Sequence, residues 1–241
     1  MTKTPLIEMR NIHKWFGKVH AVDDVSFAIE KGEIVGLVGD NGAGKSTVIK
    51  VLSGYHPSDG GEILIEGQKV QIKSPSDARA FGIETVYQEQ ALVELMSVAR
   101  NMFMGREPVK FARFLDRRKM NECISVLHDL GLSIDSPDLE VGHLSGGEKQ
   151  GVAIARAMYF KAKLVIFDEP TRNLSIKEAQ TVLDFIEGLK QENISVIFIT
   201  HNLYHVYPVA ERFLAMRKGK LVDDVMKENT SIEQLTQELV K

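Results

Sequence analysis

The chain has almost no cysteine: Cys123 is the only one in 241 residues. A single thiol cannot close an internal disulfide, and such sparing use suits a reducing cytosol. Long apolar runs are also missing. None approaches the roughly 18–20 residues of a membrane span, and Met1-Thr2-Lys3-Thr4-Pro5 lacks the apolar core of a signal peptide. Neither sign of charge is in excess, since 30 Lys and Arg against 33 Asp and Glu leave a net −3. That gives no reason to expect nucleic acid as the main partner. Low-complexity linkers and internal repeats are absent, so the length corresponds to one large domain or two small ones. What remains is ordinary globular composition, 44% apolar and 26% charged.

The informative stretch is Gly39-Asp40-Asn41-Gly42-Ala43-Gly44-Lys45-Ser46-Thr47. An apolar run, Ile34 to Val38, precedes it as a buried strand, and Val48 to Leu52 follows as a helix ending at Gly54. Strand, glycine-rich turn and helix form the setting of a phosphate-binding loop. The glycines let successive N–H groups turn inward toward an anion, and the helix start adds free N–H groups and the positive end of its dipole. Lys45 can reach the β- and γ-phosphates, and the Ser46 hydroxyl can ligate Mg²⁺. The chain is therefore expected to bind a nucleoside triphosphate.

Around this loop the pattern alternates between strand and helix. Leu6–Ile12, Ala21–Ile29, Glu62–Ile65 and Val70–Ile72 read as strands of a small antiparallel sheet. Trp15-Phe16-Gly17 sets aromatics before a turn, either to stack on a base or as core. Ser74-Pro75 starts a helix stopping at Gly82. Ile83–Tyr87 is a strand ending at Gln88, where α/β sheets bind ligands. From Gln90 to Leu144 strand signals vanish. A capped helix at Ser97–Phe103 and another at Arg117–Leu130 predict a helical insertion. Leu144-Ser145-Gly146-Gly147-Glu148 opens a helix with capping-box spacing, its paired glycines leaving the first N–H groups unobstructed. That stretch reads equally as a capped core helix or as a second anion site. Leu164–Phe167 is a buried parallel strand running into Asp168 and Glu169. Asp168 would hold Mg²⁺ through water and Glu169 would polarise an attacking water; the bland alternative is an acidic turn before Pro170. Ser175–Glu178 is a further capping box, whose helix carries Ile176, Ala179, Val182, Leu183, Ile186 and Leu189 on one face. Ser195–Thr200 is another buried strand, and it delivers His201 to the same edge as Gln88 and Glu169. His201 and His205 have zinc-ligand spacing but no glutamate after the first histidine and no third ligand, so a zinc site is rejected. Phe213–Val222 reads as a hairpin, and Ile232, Leu235 and Leu239 mark a terminal amphipathic helix.

Taken together, these motifs resemble the ATPase subunit of an ABC transporter, over essentially the whole chain. Gly39–Thr47 matches the P-loop, Gln88 the Q-loop glutamine, Leu144–Gln150 the signature, Leu164–Glu169 the Walker B strand with its catalytic glutamate, and His201 the switch histidine. Phe16 matches the aromatic that stacks on adenine. The resemblance implies an α/β fold: a P-loop NTPase (RecA-like) core with an antiparallel β subdomain, formed by residues 1–89 and 145–241, and an inserted α-helical subdomain at 90–144. It implies ATP and Mg²⁺ as cofactors. Ser46, Gln88 and Asp168 would surround the metal, while Lys45, Gln88, Glu169 and His201 would serve hydrolysis. Ser145, Gly146 and Gly147 would bind the γ-phosphate of ATP held by a second copy, paired head to tail.

Gly82–Glu89, Asn101–Glu107 and Thr200-His201-Asn202-Leu203 further resemble the monosaccharide-importer branch. The implied partners are a transmembrane permease and, indirectly, a sugar-binding protein, and the implied location is the cytoplasmic face of the cell membrane. Candidate permease contacts are Leu92, Leu95, Met96, Met102 and Phe103, residues whose helical spacing equally suits that subdomain's own core. Two departures stand out: Glu148-Lys149-Gln150 where the family often has glutamine directly after the second glycine, and Ser175 where its D-loop usually has aspartate. The rival readings are a soluble ABC ATPase acting on DNA, ribosomes or metal-cluster assembly, and a P-loop kinase or GTPase. No Asn-Lys-x-Asp guanine motif supports the latter.

Overall fold

The computed structural model describes residues 4–87, 92–110 and 114–240. In chain order the strands are β1 (Ile7–Phe16), β2 (Val19–Ile29), β3 (Ile34–Val38), β4 (Gly60–Ile65), β5 (Gln68–Val70), β6 (Ile83–Val86), β7 (Val109–Lys110), β8 (Phe114–Leu115), β9 (Leu164–Asp168), β10 (Ser195–Thr200), β11 (Arg212–Arg217) and β12 (Lys220–Met226). The helices are α1 (Lys45–Leu52), α2 (Pro75–Ala80), α3 (Val98–Phe103), α4 (Arg117–Asn121), α5 (Cys123–Asp129), α6 (Gly146–Tyr159), α7 (Ile176–Gln191), α8 (Leu203–Val206) and α9 (Ile232–Val240).

Six strands form the central sheet in the order β12-β11-β3-β10-β9-β6, all parallel except the edge strand β12. Both faces are covered, which is why β3, β9 and β10 are unbroken apolar runs rather than alternating ones. The pleat still sorts their side chains. Val165, Phe167, Val196 and Phe198 join the cluster beneath α6 and α7, while Leu164, Ile166, Ile197 and Ile199 join the one beneath α1 and the second sheet. That second sheet is antiparallel, ordered β2-β1-β4-β5. The phosphate-loop strand β3, the acidic strand β9 and the histidine strand β10 are thus adjacent, and their carboxyl ends share one edge.

The structure departs from the sequence reading in several places. β1 and β2 run on to Phe16 and from Val19, so Trp15 and Phe16 lie in a strand and Trp15 pairs with His20. The stretch 92–144 contains the small antiparallel pair β7–β8, too short to carry a period. The helix expected over Arg117–Leu130 is two helices. Asp116 caps the first, and the Ser125 hydroxyl donates to the Glu122 carbonyl at the break. Ile176 is 93% exposed rather than on the buried face of α7, whose other named apolar residues are buried. Met102 and Phe103, open between partner contact and core, belong to the core: they are fully buried with Cys123, Leu127 and α6 residues. Burial pushes the Cys123 thiol up to about 11. Asn101 is also fully buried: its amide nitrogen donates to the carbonyls of Val93, Met96 and Ser97, and its oxygen accepts from the Val93 N–H, which fixes that turn.

Candidate functional site

After β3 the backbone turns into α1 through Gly44, at φ 101°. A β-carbon there would lie 2.7 Å from the Ala21 carbonyl oxygen, so no other residue permits this approach. Lys45 is buried, and its Nζ donates to the carbonyls of Gly39 at 2.6 Å and Asp40 at 2.9 Å. Burial lowers its pKa, opposed by the nearby charges of Glu169, Asp168 and Asp40. The loop frames a cavity of about 450 Å³ lined by Gly42–Thr47, Asp168 and Glu169, with His20 and Arg172 at its sides.

Asp168 ends β9. Burial and the neighbouring Glu169 charge raise its pKa, against Lys45, Lys50 and a hydrogen bond with the Ser46 side chain. A partly buried carboxylate touching a hydroxyl is a hard oxygen pair that gains from a divalent cation. Mg²⁺ therefore fits Ser46 and Asp168. Glu169 stands at φ 53°, a left-handed conformation unusual for a non-glycine residue. Its N–H donates to the Ile199 carbonyl at 2.9 Å, tying the turn to β10. Its carboxylate accepts from the Thr200 hydroxyl at 3.0 Å and the His201 N–H at 3.1 Å, and it lies 2.6 Å from His201 Nδ1. His201 is half-exposed. His205 is engaged elsewhere, with Nδ1 2.8 Å from the Thr171 hydroxyl.

The other expected residues lie apart from this group. Ser145 caps α6 in a reciprocal box with Glu148, as the spacing implies. The helix start is not unobstructed, however. Glu178 of α7 reaches across, and its Oε1 accepts from the Gly146 N–H at 3.1 Å. The same carboxylate closes the box with Ser175 at the start of α7, so one anion serves two helix N-termini. The Ser175 hydroxyl first, then the Ser175 and glycine amides, hold it below the usual carboxylate range. Local spacing could not reveal this contact, because the partner lies 32 residues on. Ser145–Gly147 are not among the residues lining the phosphate-loop cavity. Phe16 packs edge-on against His56 at 5.1 Å, while Val19 and His20, not Phe16, line the cavity. Gln88 lies outside the described residues.

A parallel sheet bearing this loop, its lysine and a strand-end carboxylate pair defines a P-loop NTPase. A profile of the ABC transporter family matches residues 22–172. The xylose/arabinose import ATP-binding protein XylG of Sulfolobus acidocaldarius is 46% identical over 96% of this chain and 92% of that protein. The ribose import ATP-binding protein RbsA of Yersinia pestis is 38% identical over all of this chain, which spans only 47% of that protein. Among solved structures, a nucleotide-free ATP-binding cassette from an ABC transporter superposes with a TM-score of 0.85 at 26% identity, covering 98% of this chain and 96% of that one. The chain belongs to the ABC transporter family, as an ATP-binding and ATP-hydrolysing cassette.

Proposed function

We propose that this cassette powers uptake of a monosaccharide through a separate transmembrane permease, working from the cytoplasmic face of the membrane and served by a sugar-binding protein. The relatives' names support the sugar: XylG is named for xylose and arabinose import, RbsA for ribose import. The observation that carries the chemistry is the meeting of Lys45, Asp168, Glu169 and His201 at one sheet edge.

Two copies close head to tail on two ATP molecules, each held between one copy's Gly39–Thr47 and the other's Ser145-Gly146-Gly147. The separation of Ser145–Gly147 from the phosphate-loop cavity supports a site completed by a second copy. Phe16 stacks on adenine. Lys45 leaves the Gly39 and Asp40 carbonyls to meet the phosphates. Ser46 and Asp168, with Gln88, would hold Mg²⁺, which when bound would supply positive charge against the phosphates. Glu169 orients and deprotonates the attacking water, and His201 follows the γ-phosphate. Because His201 holds Glu169 in the nucleotide-free chain, drawing the histidine toward phosphate frees the base only when ATP is present. Residues 90–144 transmit closure to the permease. Leu95, at 85% exposed, and Met96 are available as contacts; Met102 and Phe103 are not.

The test pairs Lys45→Ala with the parent chain in cells lacking it. Lys45→Ala should lose ATP binding by calorimetry and monosaccharide uptake together. Uptake that survives removal of the chain refutes the transport reading and favours a soluble ABC ATPase.

A further inference from the structure

One group of side chains stands outside this mechanism. At the end of the β1–β2 hairpin the register slips between Ile12 and Trp15, which re-aims neighbouring side chains. His13 Nδ1 comes to 3.2 Å from His20 Nε2. Asp23 Oδ1 lies 3.8 Å from His13 Nδ1 and 3.5 Å from His20 Nδ1. Among the described residues these three form one set whose ligand atoms all lie within 4.8 Å of one another. Ligand atoms on a tetrahedral zinc with bonds of 2.0–2.1 Å are themselves about 3.3 Å apart. His13 Nδ1 is already that close to His20 Nε2, whereas Asp23 Oδ1 meets His20 through its other nitrogen, so the three donors lie within 4.8 Å of one another and a modest turn of the His20 ring and the Asp23 carboxylate closes them on one ion.

The surroundings hold the set in place. Asp23 Oδ2 pairs with Lys220 Nζ at 3.0 Å, leaving Oδ1 toward the histidines. Trp15 stacks on the His20 ring at a centroid distance of 4.1 Å and an 8° interplanar angle, and His13 stacks on both rings at 5.3 Å. The Asp24 N–H approaches His13 Nδ1 at 3.3 Å, a long contact that an ion would replace. All three side chains are roughly 30% accessible, enough to admit an ion and retain water on it.

We propose that His13, His20 and Asp23 bind one divalent ion of the late first-row series, with zinc as the type and water completing its coordination. Two imidazoles and one carboxylate favour zinc, copper, nickel or cobalt over magnesium or calcium. The site is separate from Ser46 and Asp168 and does not depend on the transport reading. Its position makes it consequential: His20 also lines the nucleotide cavity, and the ion ties together the hairpin end that carries Trp15 and Phe16.

Trp15 is the only tryptophan, so the chain carries its own reporter. The full-length protein, free of nucleotide and Mg²⁺, is titrated with Zn²⁺ by calorimetry and with Cu²⁺ or Ni²⁺ by tryptophan fluorescence. The expected result is saturable binding of one ion per chain, strong quenching by Cu²⁺ or Ni²⁺, and no competition from millimolar Mg²⁺. His13→Ala, His20→Ala and Asp23→Asn should each weaken binding at least about tenfold. Circular dichroism establishes that each variant is folded, and the near-isosteric Asp23→Asn covers the case in which a histidine variant is not. Co²⁺ should add the visible absorption of a four-coordinate nitrogen–oxygen site. Binding that fails to saturate, or that is unchanged in folded variants of all three residues, overturns the proposal.

Discussion

Replacing Glu169 by glutamine separates the two jobs of that side chain. In the nucleotide-free chain its carboxylate accepts from the Thr200 hydroxyl and the His201 N–H and meets the His201 ring. Glutamine keeps the shape and one oxygen, which can face His201. Its amide nitrogen then faces Thr200 Oγ1, an oxygen able to accept. Trading charge-assisted hydrogen bonds for neutral ones costs on the order of 1 kcal/mol. Part of that returns, because the Glu169 charge is one reason the partly buried Asp168 resists ionisation. Stability should therefore change by less than about 1 kcal/mol, a Tm shift of no more than roughly 4 °C for a chain of this size. Hydrolysis should fall by about 10²–10⁴ if the carboxylate takes the water's proton, equivalent to about 3–5.5 kcal/mol in the barrier. Steady-state phosphate release measures the rate, and calorimetry should show ATP affinity near the parent's. Combining Glu169→Gln with His201→Ala should cost little more than either change alone, since the two act as a unit. A Glu169→Gln variant that turns over at the parent rate would refute the reasoning. Strictly additive losses in the double variant would refute the coupling between the two residues.

Other expectations follow from the same geometry. Glu178→Gln keeps the capping geometry but removes the charge competing for the Gly146 amide, so in the Glu169→Gln background it should let the ATP-bound dimer form at lower protein concentration by ultracentrifugation; an unchanged midpoint counts against displacement of Glu178 by phosphate. Asp168→Asn should raise the melting temperature of the nucleotide-free protein while abolishing the further rise from Mg-ATP. The sign follows because burial and Glu169 raise the Asp168 pKa above its unfolded value: the ionised form is disfavoured on folding at neutral pH, and stability from this group is regained only as pH falls. Phe16→Ala should weaken ATP by about 1–3 kcal/mol while sparing inorganic triphosphate; the same selective loss in Trp15→Ala instead would move the stacking role one residue back.

Most of the core was legible because its signals are local. The run Ile34–Val38, the glycines of the phosphate loop and the step from Phe167 into Asp168 each state strand, turn and polarity within a few residues. The capping boxes at Ser145 and Ser175 were equally readable, and both form. What escaped depends on distant contacts. Nothing near Gly146 announces Glu178, and nothing near Glu169 announces that Thr200 and His201 will take both its oxygens. Met102 and Phe103 have the helical spacing that a docking surface and a core share, and only the packing of α3 against α6 distinguishes the two. The convergence of His13, His20 and Asp23 arises from register slips that no alternation pattern records.

The order β3-β10-β9 also bears on how the chain reaches its native state. The phosphate loop is synthesised early, but one flank of its strand stays open until β10 exists, and the other until β11 does. The opposite carboxylates follow only at Asp168 and Glu169, and the histidine at His201, directly after β10. Nucleotide therefore cannot template the early stages, because its binding surface is among the last things completed. Parallel pairings between sequence-distant strands are slow to close, so the nascent N-terminal half carries unpaired strand edges through most of synthesis. Added ATP should slow unfolding of the finished cassette yet leave its refolding rate almost untouched.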